Sequence, residues 1–146
     1  MLIRSMTSGD YDQLYALWLS CRGMGLNDVD DSREGVSRYL ARNPCTCFAA
    51  LDEEKIVGAI MAGHDGRRGY IYHTAVSESY RHRGIGSALV KRALDALAAE
   101  GITKVALVVF SHNEAGNAFW KRQGFTLRED LAYRNRALVQ LVRKDT

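Results

Sequence analysis

The chain holds a single proline, Pro44, and no low-complexity segment, internal repeat or linker, which leaves no obvious place to divide its 146 residues. One domain over residues 1–146 is therefore expected, since this length buries a real core but does not suffice for two. No apolar run approaches the ~18 residues that would span a bilayer, so no membrane role is expected. The N-terminal "MLIRSMTSGDYDQL" lacks an apolar core followed by small residues, and a cytoplasmic location follows as the default.

Cysteine is scarce as well. Cys21, Cys45 and Cys47 are odd in number and no pair is spaced C-x-x-C, which argues against a disulfide framework. The four histidines show no metal-ligand spacing, and no metal is expected. The thiols read as small hydrophobes, with Cys45 and Cys47 alternating on one face of an apparent strand. Charge of one sign is also missing in bulk: 20 basic against 17 acidic residues leave +3. That balance excludes the dense basic stripe of a nucleic-acid-binding domain. The cations gather locally instead, which suits a small polyanion.

Apolar residues at 47% and charged residues at 25% describe an ordinary globular chain. "LIRSM" alternates as a first strand. "TSGD" then offers capping side chains to a helix that places Tyr11, Leu14, Trp18 and Cys21 on one face. The glycine-bearing, acidic stretch Arg22–Asp31 reads as a loop, and Ser32 caps a second helix that stops at Pro44. Two apolar runs around the charged turn Asp52–Lys55 predict a hairpin, and Gly69–Val76 is a fourth, β-branched and aromatic strand. A helix carrying Ile85, Leu89, Ala93 and Leu97 on one stripe should run to Glu100, with Gly101 as its stop. "KVALVVF" follows as a buried fifth strand. A short helix runs from Asn113 to Gly124, and "FTLRED" and "ALVQLVRK" supply two last strands. The order β-α-α-β-β-β-α-β-α-β-β predicts an α/β fold with a mixed central sheet of about seven strands and about four helices.

The most informative stretch is "YRHRGIGSALVKRAL". A strand, a bare glycine turn and a helix N-terminus make an anion site, because the first helical amides lack internal partners and the dipole adds roughly half a positive charge. Gly84 and Gly86 would let a phosphate oxygen approach those amides without a Cβ in the way. Arg81, His82 and Arg83 add positive potential. The Walker A pattern has no match in the chain. The dinucleotide fingerprint fails too, since Leu89 stands where a third small residue belongs and the next strand ends in Val109 and Phe110 without an acid.

"RHRGIG" is R-x-x-G-x-G and resembles the pyrophosphate motif of the GCN5-related N-acetyltransferases, the GNAT superfamily. "AVSESYRHRGIGSALV" is similar to that family's fourth strand, loop and third helix. "SHNEAGNAFWKRQGF" is similar to its second signature, and the element order resembles the family's over nearly the whole chain. The resemblance implies acetyl-CoA as co-substrate and an amine as acceptor. By it, the amides of Arg81, His82, Arg83, Gly84, Ile85, Gly86 and Ser87 would hold the pyrophosphate. The backbone of Ala75 and Val76 would pair with the pantetheine arm as an added strand, and Asn113 would hydrogen-bond the same arm. The reaction implied is direct attack of a neutral amine on the thioester, with a backbone amide of the fourth strand stabilising the oxyanion. Nucleic acid is not expected as a partner, and a homodimer is one arrangement open to such a chain.

Two positions depart from the family's pattern. Trp120 stands where many members carry a tyrosine that protonates the departing thiolate; an indole N–H donates but is no usable acid, so Trp120 reads as a packing residue. Carboxylate bases are missing where Val108 stands and near Tyr70. The catalytic candidates left are Tyr72 and His73, the latter with the right intrinsic chemistry for a base at neutral pH. Strict alternation puts His73 on the face opposite Tyr70 and Tyr72. Asn27, Asp28, Asp30 and Asp31 sit on the loop that, in this fold, overhangs the acceptor; with Asp65, Tyr70 and Tyr133 they are candidate acceptor contacts. These departures keep a second reading open, a catalytically weak acyl-CoA-binding domain of the same fold.

Overall fold

The computed structural model describes residues 1–145. Five strands form one sheet in the order β1-β2-β3-β4-β5: β1 Leu2–Ser5, β2 Phe48–Asp52, β3 Lys55–His64, β4 Gly69–Val76 and β5 Val105–Ala106. The first four pair antiparallel, and β5 joins β4 parallel after a helical crossover. The helices are α1 Tyr11–Ser20, α2 Arg33–Arg42, α3 Ile85–Ala99 and α4 Glu114–Arg122. No helix among the described residues is long and apolar enough to cross a membrane, and no cluster of three His, Cys, Asp or Glu residues could hold a metal ion.

Local chemistry accounts for these boundaries. Thr7 and Asp10 form a capping box ahead of α1, and Asp10 also takes a bidentate bond from Arg4 on β1. Ser32 caps α2 by accepting from the Gly35 amide, as the sequence predicts. α3 ends before Gly101, which takes a left-handed φ of 85°. The thiols are placed differently from expectation. Cys47 is buried and Cys45 exposed, both ahead of β2, so they share no strand face. Burial pushes the Cys47 thiol up to about 12.

The sheet carries a core on each face. On one face Leu14, Leu17 and Trp18 of α1 and Val36 and Leu40 of α2 cover Ala49, Ala59 and Met61. On the other, Ile85, Leu89, Val90, Ala93 and Leu97 of α3 cover Ala50, Ile60, Ala62 and Ile71.

One register shift matters for the site. Ile60 pairs with Thr74 and Ala62 with Ile71, so two steps along β3 oppose three along β4. The extra residue in β4 falls at Tyr72–His73, a β-bulge. Below it Ile71 faces α3; above it Ala75 faces α1. The bulge therefore cancels the alternation that put His73 opposite Tyr70 and Tyr72. Tyr72 meets Tyr39 of α2, and His73 meets Trp18 of α1, on the same side of the sheet.

The C-terminal expectation needs correction. β5 is two residues long, and neither Phe125–Asp130 nor Ala137–Lys144 forms a strand. Alternation says which side chains could share a face, but a strand also needs an extended edge to pair with. The segment after Ala106 leaves β4 and provides none. Leu138 is consequently 92% exposed, and Leu127, Leu131 and Val139 are also exposed. The chain is fixed again only near its end, by a bridge between Asn27 and Arg143.

The two-faced core yields a quantitative expectation. Leu14→Ala and Leu89→Ala should each cost about 2–5 kcal/mol in urea unfolding. Because the sheet separates them, the double variant should equal the sum within ~0.5 kcal/mol. Marked non-additivity would contradict two independent layers.

Candidate active site

The turn between β4 and α3 is the most unusual backbone in the molecule. His82 and Gly84 both have left-handed φ, 62° and 82°. This winding turns the chain so that the amides of His82, Arg83, Gly84, Ile85, Gly86 and Ser87 donate to no acceptor among the described residues. The first helical hydrogen bond runs from the Ala88 amide to Gly84 O, 3.0 Å. A row of free amides at a helix N-terminus offers donors that an anion could take up.

The two glycines serve different ends. Gly84 is required by its φ, and a Cβ there would point into open space. Gly86 is constrained by packing: its Cβ would lie 3.1 Å from the Phe119 ring of α4. Ile85 turns its side chain into the core and offers only its amide. Ser87 accepts at Oγ from Gln123 at the end of α4, 2.9 Å. The Arg83 guanidinium stacks on Tyr80 and bonds Ser79 O.

β4 and β5 pair only through Gly69–Val105 and Tyr70–Ala106. Beyond them the edge of β4 that faces away from β3 has no strand partner as far as Val76, which leaves room for an extended ligand. Ala75 is buried against α1, and the Val76 carbonyl accepts from Arg81 Nε at 3.1 Å. Arg81 also reaches the Cys21 thiol, so its side chain lies along the mouth of this opening. Asn113 caps α4 through the Gly116 amide, and its Nδ2 finds no acceptor among the described residues. It borders a cleft of about 470 Å³ together with Arg22, Phe110, His112 and Arg143. Coenzyme A fits these groups: amides for its diphosphate, an open strand edge for its pantetheine.

At the bulge, His73 Nε2 meets Asp31 Oδ1 at 2.6 Å. Asp31 is 4% exposed, and its other oxygen accepts from the Asn27 amide, so it does not face an acceptor as the sequence suggested. Asp28 is also occupied, accepting from the Val142 amide at 2.7 Å. Asp30 accepts from Asn27 Nδ2 but stays exposed, and its charge lies close enough to Tyr72 to oppose that phenol's ionisation. Asn27 thus organises the loop through Oδ1, Nδ2 and its amide.

Tyr70 and Tyr72 sit with ring centroids 4.7 Å apart, and the edge of Tyr39 meets Tyr72. Burial, and then the neighbouring Tyr133 hydroxyl, raises both phenols above their ordinary range, so both stay protonated through neutral pH. Asp65 departs from its expected role: it caps its own turn by accepting from the amides of Arg68 and Arg67, which also holds its carboxyl below the usual carboxylate range. Sequence reasoning did not single out Tyr39 or Asp145. Asp145 accepts from the Gly25 and Leu26 amides and so pins the acidic loop, a contact with no local signal.

The model of the acetyltransferase (GNAT) family matches residues 11–125. An acetyltransferase of Photorhabdus laumondii is 35% identical over 115 residues, covering 79% of either chain. Ard1 from Thermoplasma volcanium superimposes with a TM-score of 0.78 at 21% identity, covering 87% of this chain and 83% of its own. PaiA N-acetyltransferase from Thermoplasma acidophilum, in complex with coenzyme A, gives 0.76 at 19% identity, covering 88% and 91%. The chain belongs to the GNAT family of acetyltransferases. It is an acetyl-CoA-dependent acetyltransferase, with acetyl-CoA as its co-substrate.

The glycine geometry separates two effects. Gly84→Ala should raise the Kd for acetyl-CoA ~10-fold or more, through left-handed strain of about 1–2 kcal/mol at the cradle. Gly86→Val should act through Phe119 and lower the unfolding midpoint as well as affinity. Calorimetry and urea titration distinguish them; unchanged affinity in both variants would overturn the cradle. Trp120 lies edge-on to Phe119 and Phe125, 5.0 and 5.2 Å between centroids, as a packing residue would. Trp120→Phe should keep at least ~10% of turnover; a thousandfold loss with intact acetyl-CoA affinity would make the indole N–H essential.

Proposed function

We propose that residues 1–146 form one domain that transfers acetyl from acetyl-CoA to a primary amine by direct attack, with His73 as the base. The observation that carries this reading is the His73–Asp31 pair at the bulge, beside the unpaired edge of β4. A carboxylate accepting at Nε2 fixes the proton there and leaves Nδ1 with the basic lone pair. Nδ1 has no partner among the described residues. The arrangement supplies a proton acceptor in place of the carboxylates missing where Val108 stands and near Tyr70.

Acetyl-CoA supplies the activated carbonyl. The amine nitrogen forms the C–N bond as the C–S bond breaks, and its electron pair leaves on sulfur. The nitrogen's proton passes to His73 Nδ1, and the thiolate regains a proton from solvent. A thiolate is stable enough to leave without a dedicated acid, its thiol having a pKa of ~8.5. The protonated Tyr72 phenol adjoins the same bulge as a hydrogen-bond donor. Free amides of β4 on the open edge would face the developing oxyanion. The acceptor is a small molecule, amino acid or peptide N-terminus. An α-amine (pKa ~8) is the better nucleophile here than a lysine amine (~10.4), because less work falls on the base.

A thiol-release assay with acetyl-CoA and a panel of amines tests the reading. His73→Ala should lower kcat at least ~100-fold with the KM for acetyl-CoA unchanged. Asp31→Asn should lower kcat ~10-fold or more, because an amide no longer fixes the tautomer. Acetyl-CoA binding without thiol release to any amine would favour the weakly catalytic alternative. A His73→Ala variant at near parental kcat would remove histidine from the role.

A further inference from the structure

The surface beside His73 has a composition that the transfer reaction itself does not require. Tyr70 and Tyr72 form a continuous aromatic wall, with Tyr39 edge-on behind it. Tyr72 is 52% exposed and Tyr133 67% exposed, a large aromatic area to leave in water. The hydroxyls of Tyr70, Tyr72 and Tyr133 have no hydrogen-bond partner among the described residues. Tyr133 belongs to the irregular C-terminal stretch yet lies close enough to disfavour ionisation of both other phenols. Asp30, exposed on the loop, brings a negative charge to the same place.

Elsewhere four aromatic rings are covered by the chain's own cations. Arg33 covers Tyr11, Arg83 covers Tyr80, Arg92 covers Phe48 and Arg143 covers Phe110. None of these contacts uses Tyr70, Tyr72 or Tyr133, although Arg134 and Arg136 follow Tyr133 in the chain. Phenol faces with a carboxylate at their rim attract a cation, by the ring quadrupole and by charge. An apolar ligand would gain from the rings alone and lose by desolvating Asp30.

Resting on the acetyl-transfer reading above, we propose that Tyr70, Tyr72, Tyr133 and Asp30 hold a second, non-reacting alkylammonium group of the acceptor. The preferred acceptor then carries two amines: one reaches the acetyl group beside His73 and the other stays charged against the rings. A basic amino acid or a peptide beginning with one has this chemistry, its α-amine reacting and its side-chain ammonium held.

Lysine amide and norleucine amide test this, because they share an α-amine and differ in the ammonium alone. With acetyl-CoA saturating, lysine amide should show a kcat/KM at least ~10-fold higher, with mass spectrometry placing the acetyl on the α-amine. Tyr133→Leu and Asp30→Asn should each remove most of that advantage through the KM for lysine amide. Neither should change the KM for acetyl-CoA, and Tyr133→Phe should retain the preference. Equal kcat/KM for the two amides, or a preference untouched by both variants, overturns the proposal. Calorimetric binding of the two amides to the protein saturated with coenzyme A reads the same site without turnover. Tighter lysine amide binding that Tyr133→Leu abolishes, in the absence of any thiol release, would sink the transfer reading and leave the cation site standing. Equal affinities would sink the cation site.

Discussion

One extra residue in β4 organises this end of the molecule. Opposite Met61, the bulge at Tyr72–His73 lets two consecutive side chains face the α1–α2 layer where a regular strand would send them apart. It also bends β4, and pairing with β5 ends two residues into that strand. The unpaired edge, the position of His73 and the exposure of Tyr72 thus share a backbone origin. Removing the bulge would turn His73 toward the α3 core, where an imidazole would find apolar side chains and no carboxylate.

Charge is arranged along this opening in two parts. Free amides, a helix N-terminus and three basic side chains gather at the α3 end, while the acidic loop lies over the bulge. The acidic residues are not simply a field. Asp28 and Asp31 build the loop itself, Asp31 accepting from the Asn27 amide within it and Asp28 from the Val142 amide of the C-terminal stretch. Only Asp30 combines exposure with proximity to the aromatic wall. A count of carboxylates in the sequence overstates how many can meet an acceptor, because loops satisfy their own amides first.

Most of the helical framework was legible because its signals are local. Ser32, Gly101 and Asn113 act at the helix ends where their chemistry predicts, and β4 has the bounds its β-branched and aromatic run suggests. The glycine turn was legible as a motif but not in all its physics, since Gly86 also packs against Phe119 of α4, a contact with no local signal. His73 was visible as a candidate and misplaced, because a bulge leaves no mark in a period-two pattern. Its partner Asp31 lies 42 residues away, a contact only the fold creates. The two last strands failed for a related reason: Ala137–Lys144 is apolar enough for a strand, but its pairing is confined to the bridge between Arg143 and Asn27 of the loop.

The pairing of His73 with Asp31 couples the proposed base to the loop. Asp31 ends the acidic segment one residue before the Ser32 cap, and its backbone carbonyl accepts from the Tyr11 hydroxyl of α1. At the loop's other end Asp145 accepts from Gly25 and Leu26, while Lys144 donates to Leu26 O. The C-terminal stretch, exposed for most of its length, is therefore tied down where it reaches the acidic loop. A displacement of that loop would move the carboxylate that orients the imidazole, and a shift of about 1 Å is enough to cost two orders of magnitude in a positioned reaction. The structure thus gives the C-terminal residues a bearing on chemistry they do not touch. The link runs through two backbone amides, Asn27 and one carboxylate.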